Sequence, residues 1–449
     1  MLKSQIYIKM KLFNFNAILL ALLLTSILSF SQSNSINQTL FGHQLSDANI
    51  KFIDHSGVIR CGSVEYEQYL KALHPKRATI EDFESWIAPK IQEFKAQRSN
   101  STSTLTTTIP VIYHILTDGA GSENLSVSAI QAQNDQLNLD FSNNSGSSYS
   151  VAVDTEVRFI LANKNALGVA LANAGVNRIT DYGEGPFSDL DLQNSIKPAT
   201  QWDPTIYLNI WVAKLEDGLL GYAQFPSNSS LPGLDTDEGA ANTDGVVVLA
   251  SSVGSLVNPN SLGDVYGSGR TLTHEVGHWL GLRHIWGDTA NCTNDDFCAD
   301  TPDASDFNSG CPVTDSCPDS LGNDMVENYM DYTIDSCMDT FTADQKARIQ
   351  TVLANSPRRI ELGAGDYFLD TQVFLYPNPV TDLLRINLVG FSSFPENYTV
   401  YNMLGRVLFE QPIKTTNDLI VNTSDLSKGV YFIKITANKN STSLPFIKN

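Results

Sequence analysis

The 449-residue chain is predicted to be an α+β protein, a twisted mixed sheet with helices, followed by a small all-β sandwich. Three observations carry this. Apolar, β-branched runs at Thr108–Leu116, Val157–Ala162, Tyr207–Val212, Gly221–Phe225 and Val246–Ala250 read as strands, with one amphipathic helix after the first. A further helical stretch carries the pattern H-E-x-x-H-x-x-G-x-x-H from His274 to His284. Beyond Leu375 the chain changes to short alternating strands divided by turn residues.

Taken in order, residues 17 to 30 form an apolar run after Met10-Lys11, shorter than a bilayer span, with small residues around Ser29-Phe30-Ser31 and polar Gln32 beyond. This predicts a signal peptide over 1–31, the alternative being a retained membrane anchor. Nothing later is apolar for long enough to span a bilayer, so the mature form is expected not to cross a membrane. Residues 32–103 are polar with helical patches at Val64–Leu73 and Ile80–Phe94, and end in the serine- and threonine-rich stretch Gln97–Thr104. They read as a propeptide. Residues 104–360 are the expected catalytic domain. In it Ser126 caps a helix with Ile130, Leu137 and Phe141 at helical spacing. Loop-rich, acidic sequence follows His284, and Asp339–Val352 reads as a closing helix before Pro357. In the tail, 370–449, the strands are Leu384–Leu388, Tyr398–Tyr401, Arg406–Phe409, Leu419–Val421 and Val430–Ile435.

A net charge of −20 and a pI near 4.6 argue against nucleic acid or an anionic membrane surface as partner. Of the six cysteines, Cys61 stands alone, and Cys292, Cys298, Cys311, Cys317 and Cys337 cluster after the histidine motif. In an exported chain with no C-x-x-C pair, disulfides are the expected use of that cluster.

The histidine motif carries the chemistry. Residues four apart share a helix face, so the imidazoles of His274 and His278 converge. Gly281 lets the chain leave the helix in a left-handed turn that returns His284 as a third ligand. Three imidazoles and one open position predict a catalytic Zn2+, with Glu275 taking a proton from the water that attacks a carbonyl. The bland alternative is a buried helix with three incidental histidines. Asp295, Asp296, Asp300 and Thr301 offer hard oxygen ligands at a density that suits a structural Ca2+, or form an unliganded acidic turn. Cys61, in Arg60-Cys-Gly62, offers a thiolate that could plug the open zinc position, or is a free cysteine.

The H-E-x-x-H-x-x-G-x-x-H pattern resembles that of the metzincin metallopeptidases, and Asn328-Tyr-Met-Asp-Tyr332 is similar to their Met-turn, with Met330 as the floor of the metal site. The strings HEVGHWLGLRHIWGD and NYMDYTIDSCMDTFTADQ resemble the pappalysin family in particular, over roughly residues 104 to 357. The resemblance implies a secreted zinc endopeptidase acting on proteins or peptides, with Gly221–Phe225 as the edge strand of the cleft, whose free backbone groups suit pairing with an extended peptide. It implies Tyr332 as a holder of the oxyanion (packing of the turn being the alternative), disulfides Cys292–Cys317 and Cys311–Cys337, a calcium loop, and cysteine latency. It leaves Cys298 unassigned. It also implies a preference for a basic residue after the scissile bond, for which Asp335 is the candidate pocket floor, unless it caps a loop or faces solvent. YPNPVTDLL, VYNMLGRVL and LSKGVYFIKI resemble the C-terminal sorting domain of the type IX secretion system, implying export through the periplasm of a Gram-negative bacterium. A carbohydrate-binding or adhesion module is the alternative for the tail. An inactive adhesin, or a zinc hydrolase of a non-peptide amide, is the alternative for the whole.

Overall fold

The structure, a computed structural model, describes residues 39–98, 106–165, 169–227, 241–293, 296–320, 322–359, 362, 373–388, 395–403, 405–437 and 440–449. The expected signal peptide, the start of the propeptide, most of its linker and Asp295 lie outside them.

The N-terminal segment holds a two-stranded hairpin, β1 (Thr39–Leu40) and β2 (His43–Gln44), then α1 (Asp47–Ser56), α2 (Ser63–Leu73) and α3 (Ile80–Arg98). The sequence reading missed α1. It is capped by the Ser46 side chain, which accepts from Asn49 N, and it stops at Gly57 in the left-handed conformation.

The central sheet contains β3 (Thr107–Leu116), β4 (Val157–Leu161), β5 (Val176–Ile179), β6 (Leu208–Ala213), β7 (Gly221–Ala223) and β8 (Val246–Leu249). Its order is β4-β3-β6-β8-β7, with β5 also paired to β3. All pairs are parallel except β7 with β8, which is antiparallel and sets β7 at the edge. Central β3 is buried from Ile109 onward, which explains its unbroken apolar run. The sequence reading overlooked β5, whose Val-Asn-Arg-Ile lacks an apolar run. It also drew β7 two residues too long, since Pro226 follows closely and has no N–H for a ladder.

Two helices lie against this sheet. In α4 (Val127–Phe141), Ser126 caps by accepting from Ala129 N, and Ile130, Leu137 and Phe141 are buried. All ten residues of α5 (Arg270–Trp279) are buried, although the helix is rich in polar side chains. Among the described residues, 287–341 contain no helix or strand. The closing helix α6 (Ala343–Asn355) begins four residues later than the sequence suggested. Thr342 and Gln345 form a reciprocal capping box there, and that fixes the start.

The tail forms a three-stranded and a four-stranded sheet from β9 (Val373–Tyr376), β10 (Leu383–Leu388), β11 (Asn397–Asn402), β12 (Val407–Pro412), β13 (Ile420–Asn422), β14 (Gly429–Ala437) and β15 (Asn440–Lys448). Its own core includes Leu384, Val400, Val421, Ile433 and Phe446. The sequence reading missed β9 and β15. The second holds Pro445, which a sheet tolerates because β15 is an edge strand.

Candidate metal centre and active-site cleft

The three motif histidines meet through Nε2. His274 and His278 are 3.1 Å apart there, His278 and His284 are 3.0 Å apart, and His274 and His284 are 3.2 Å apart. Each Nδ1 is committed elsewhere: to Tyr329 O at 2.7 Å for His274, to Leu282 O at 2.9 Å for His278, and to the carboxylate of Asp288 for His284. A carbonyl can only accept, so Nδ1 of His274 and of His278 carries the proton and Nε2 presents a lone pair. Burial, with the neighbouring imidazoles, holds the pKa of His274 and of His278 well below the usual value, so both rings are neutral. Three lone pairs facing one point repel unless a cation lies between them. Zinc with Zn–N of about 2.0–2.1 Å sets tetrahedral nitrogens roughly 3.3 Å apart, so the spacing here fits such an ion.

The turn that returns His284 is made by Gly281 at φ +93°, where an added Cβ would also strike Val352 at 2.8 Å. Below the helix, Met330 is fully buried. Its sulfur stands 2.4 Å from where a Cβ on Gly277 would lie, so the glycine is what lets the Met-turn close under the site.

The fourth corner is Cys61. Its Sγ and the ligand atoms of the three histidines lie within 4.8 Å of one another, all buried, the one such group of possible metal ligands among the described residues. The segment carrying Cys61 runs alongside the edge strand. Gly62 N donates to Gly221 O at 2.9 Å, Leu220 N donates to Ile59 O at 2.9 Å, and the Ile59–Leu219 bridge is parallel. The edge that was expected to pair with a peptide is paired here with the chain's own N-terminal segment. Asn49 fixes the cysteine by donating to Cys61 O at 2.7 Å. Burial and then the Glu275 carboxylate push the Cys61 thiol well up, so it ionises only against a cation.

Glu275 is buried beside this cluster. Its Oε2 accepts from Ser63 Oγ at 2.9 Å and faces Cys61 Sγ at 3.5 Å, while Oε1 has no hydrogen-bond partner. Burial raises its pKa to about 7 against the opposing pull of Ser63 and Arg60. The ring of Tyr332 is 5.9 Å from His274 and 4.9 Å from His284, packed against Trp286 at 4.8 Å and under Phe52 of α1 at 5.2 Å.

Asp335 is fully buried, not solvent-facing. Its Oδ2 accepts from Ser268 N at 2.8 Å and Arg270 N at 3.3 Å, capping the start of α5. Its Oδ1 has no hydrogen-bond partner, and burial raises the carboxyl to about 6 against the nearby Arg60 guanidinium. Arg60 is itself buried, donating to Thr271 Oγ1 at 3.1 Å, with its guanidinium 5.4 Å from the Tyr266 ring centre.

Among the described residues, the loop expected to bind calcium shows no comparable group of ligand atoms. Asp300 accepts from Thr342 Oγ1 at 2.6 Å and Asp344 N at 2.9 Å, so it anchors the start of α6. Asp296 accepts from Cys298 N at 3.0 Å and Thr301 Oγ1 at 2.8 Å. The disulfides are Cys292–Cys317 and Cys311–Cys337, with Cα separations of 5.7 and 5.6 Å, while Cys298 is buried and free.

Several residues that build the site were not recognised from the sequence. Asp140 on α4 accepts from Thr273 Oγ1 at 2.7 Å and from Arg270 at 3.2 Å, holding the front of α5. Asp244 holds its rear through Trp279, Arg358 and Arg359. Asp288 was detectable in principle, because it lies four residues past His284; the others act across more than thirty residues.

Residues 191–354 match the family model described as pregnancy-associated plasma protein-A, and residues 374–449 match a secretion system C-terminal sorting domain. An extracellular metalloprotease of Arthroderma otae is 30% identical over 297 residues, 66% of this chain and 93% of that protein. One of Verticillium alfalfae is 38% identical over 186 residues, 41% of this chain; the chain spans only 61% of that relative's length. Tannerella forsythia mature mirolysin in complex with a cleaved peptide aligns with TM-score 0.50 and 36% identity, covering 58% of this chain and 97% of that one. A promirolysin mutant aligns with TM-score 0.51 and 32% identity, covering 68% of this chain and 97% of that one. Ligand pattern, Met-turn, disulfides and these alignments agree, and the chain belongs to the pappalysin family of metalloproteases, with a secretion-system sorting domain at its C-terminal end.

Proposed function

We propose that this chain is the latent precursor of a secreted zinc endopeptidase. The observation that carries the reading is the buried set of Cys61 and the three histidines around one point, with Glu275 beside it. Held there, zinc would polarise a scissile carbonyl and make a water acidic enough to attack it. His274, His278 and His284 hold the ion, with Nδ1 of each tied down so that Nε2 cannot turn away. Glu275 is not a ligand, and in the mature protein its free Oε1 receives the proton of the attacking water and passes it to the leaving amine. Tyr332 stands across the histidines, where its hydroxyl can donate to the oxyanion once Phe52 and Cys61 have withdrawn.

Latency follows from the N-terminal segment. Residues 1–31 serve as signal peptide, 32–103 as propeptide, 104–360 as catalytic domain and 370–449 as the type IX sorting domain, taking the chain through a Gram-negative periplasm. Coverage that grows from 58% against mature mirolysin to 68% against promirolysin supports the propeptide. Cys61 occupies the position the reactive water needs, and Arg60 lies beside Asp335 as an arginine following the scissile bond would. This supports a preference for a basic residue there.

The test compares secreted, self-processed protein on casein with and without a zinc chelator, and Glu275→Ala with His278→Ala. Glu275→Ala should retain zinc and lose peptide hydrolysis by roughly a hundredfold or more, whereas His278→Ala should lose the metal too. Casein cleavage by Glu275→Ala at near the wild-type rate would overturn the assignment. Turnover of small amides without casein cleavage would move the protein to another hydrolase class.

A further inference from the structure

The N-terminal segment inserts a third side chain into the cleft. Tyr66 on α2 is fully buried, with its hydroxyl 2.7 Å from Gln193 Oε1, 3.0 Å from Gln224 Oε1 and 3.2 Å from Thr243 Oγ1. One phenolic proton serves one acceptor. Turning the Gln224 amide over makes its Nε2, otherwise without a hydrogen-bond partner, a donor to the phenol oxygen. Gln193 then accepts from the phenol and keeps its own donation to Tyr222 at 2.6 Å.

Lys197 completes the site. Its Nζ lies 4.9 Å from the ring centre of Trp211, 5.0 Å from Tyr66 and 5.2 Å from Tyr222, fully buried and with no hydrogen-bond partner. Three rings surround the amine, with the Asp244 carboxylate as its nearby counter-charge, and Tyr66 provides one of the three. The polar and cationic walls all belong to residues 193–243. The aromatic roof is Tyr66 with Phe41, whose ring is 5.0 Å from both Tyr66 and Tyr222, and that roof belongs to the segment that maturation would remove.

Its place in the cleft follows from the pairing along β7. Ile59 lies beside Leu219, Gly62 beside Gly221, and Ser63 Oγ accepts from Ala223 N at 2.9 Å. Arg60 and Tyr66 therefore lie on opposite sides of Cys61 along β7, with Tyr66 on the sheet face of Tyr222 and Trp211.

We propose that, once the N-terminal segment is gone, the cavity of Tyr66 is a substrate subsite for a tyrosine side chain on the side of the scissile bond away from Asp335. The inference rests on the endopeptidase reading above. A phenol restores both amide hydrogen bonds and the third ring over Lys197. Phenylalanine leaves Gln193 Oε1 and Gln224 without the phenol between them, and leucine leaves Lys197 short of a ring.

The test uses mature protein produced from the full chain and a position-scanned peptide library with arginine after the scissile bond. Tyrosine at one upstream position should be cleaved about tenfold faster than phenylalanine, the effect of one buried hydrogen bond. That ratio should fall toward one in Gln193→Met and in Gln224→Met, and the aromatic-over-leucine ratio should fall in Lys197→Met. Ratios are read within each variant, so a lower amount of folded enzyme cancels. Cleavage without an upstream tyrosine preference, or a preference that none of the three substitutions changes, overturns the subsite and leaves the endopeptidase reading standing. Zinc-loaded protein that cleaves no library member overturns that reading and the subsite with it.

Discussion

Replacing Asp244 by alanine tests how the rear of the metal-binding helix is held. The carboxylate accepts from Arg359 Nη1 at 2.9 Å and Nη2 at 2.8 Å, from the Trp279 indole at 2.9 Å, and from Arg358. Burial alone would raise its pKa, yet the two guanidinium groups hold it well below the usual carboxylate range. Arg359 also covers the Trp279 ring at 3.8 Å and donates from Nε to Trp279 O at 3.2 Å, a carbonyl at the end of α5. Truncation strands two almost fully buried cations. Removing one partner from such a set destabilises by roughly 3–5 kcal/mol, which for a domain of this size is a fall of roughly 10 °C in melting temperature. Asp244→Asn, which keeps the shape and loses the charge, should fall between. The assay is thermal unfolding of the zinc-loaded full chain by tryptophan fluorescence, with zinc content after dialysis as the second readout, since Trp279 directly follows His278. A fall of less than about 3 °C with zinc fully retained would refute the claim that this ion-pair cluster seats the helix.

Cys61→Ala should shorten the lag before self-processing of the purified precursor. Cys61→Ala combined with Arg60→Ala should shorten it further; an unchanged lag in both would leave steric cover by α1 and α2 as the whole of latency. His114 is buried between Asn209 and Asn177, and burial pushes its pKa down to about 4, against about 6.5 in an unfolded chain. In that interval only the unfolded chain carries the proton, so this group's contribution is complete above pH 6.5 and falls by about 3 kcal/mol as pH drops to 4. His114→Gln should flatten the acid limb of melting temperature against pH, and superimposable limbs would contradict it. Asp300→Ala should lower the melting temperature by freeing the start of α6; withdrawing calcium at constant zinc tests the proposed calcium loop, a lower melting temperature supporting it and an unchanged one counting against it.

What the sequence disclosed about the site follows from distance along the chain. His274 and His278 share a helix face and His284 returns through one glycine turn, so local geometry alone brings them together. The same locality made β3, α4 and the tail's alternating strands readable. Asp140 reaches Thr273 across 133 residues and Asp244 reaches Arg359 across 115, and no periodicity marks such pairs. Density of acidic residues pointed to a calcium loop but did not disclose a role that Asp300 has in the fold: it accepts from Thr342 and from the backbone of Asp344 at the start of α6. Asp335 was assigned to a pocket and is also a helix cap, a second role that only the fold reveals because Ser268 and Arg270 lie more than sixty residues away.

The N-terminal segment uses three chemically different plugs along one short stretch, and that arrangement has a consequence for how latency ends. Arg60 sits opposite a carboxylate, Cys61 faces the histidines, and Tyr66 fills a cavity of amides and rings. Each side chain meets a different kind of group: Arg60 a carboxylate, Cys61 the three histidine nitrogens that would share a metal with it, and Tyr66 the amine of Lys197 through its ring. Breaking one leaves the other two, together with the pairing of Ile59 and Gly62 to the edge strand, in place. Release is therefore expected to need scission of the backbone. The serine- and threonine-rich stretch after α3, with Arg98 at its head, is where a cut would free the segment without disturbing β3. Under the proposed latency the groups freed by that cut would be the ones a substrate then meets, so the precursor's contacts and the mature enzyme's preferences should change together when any one of them is substituted.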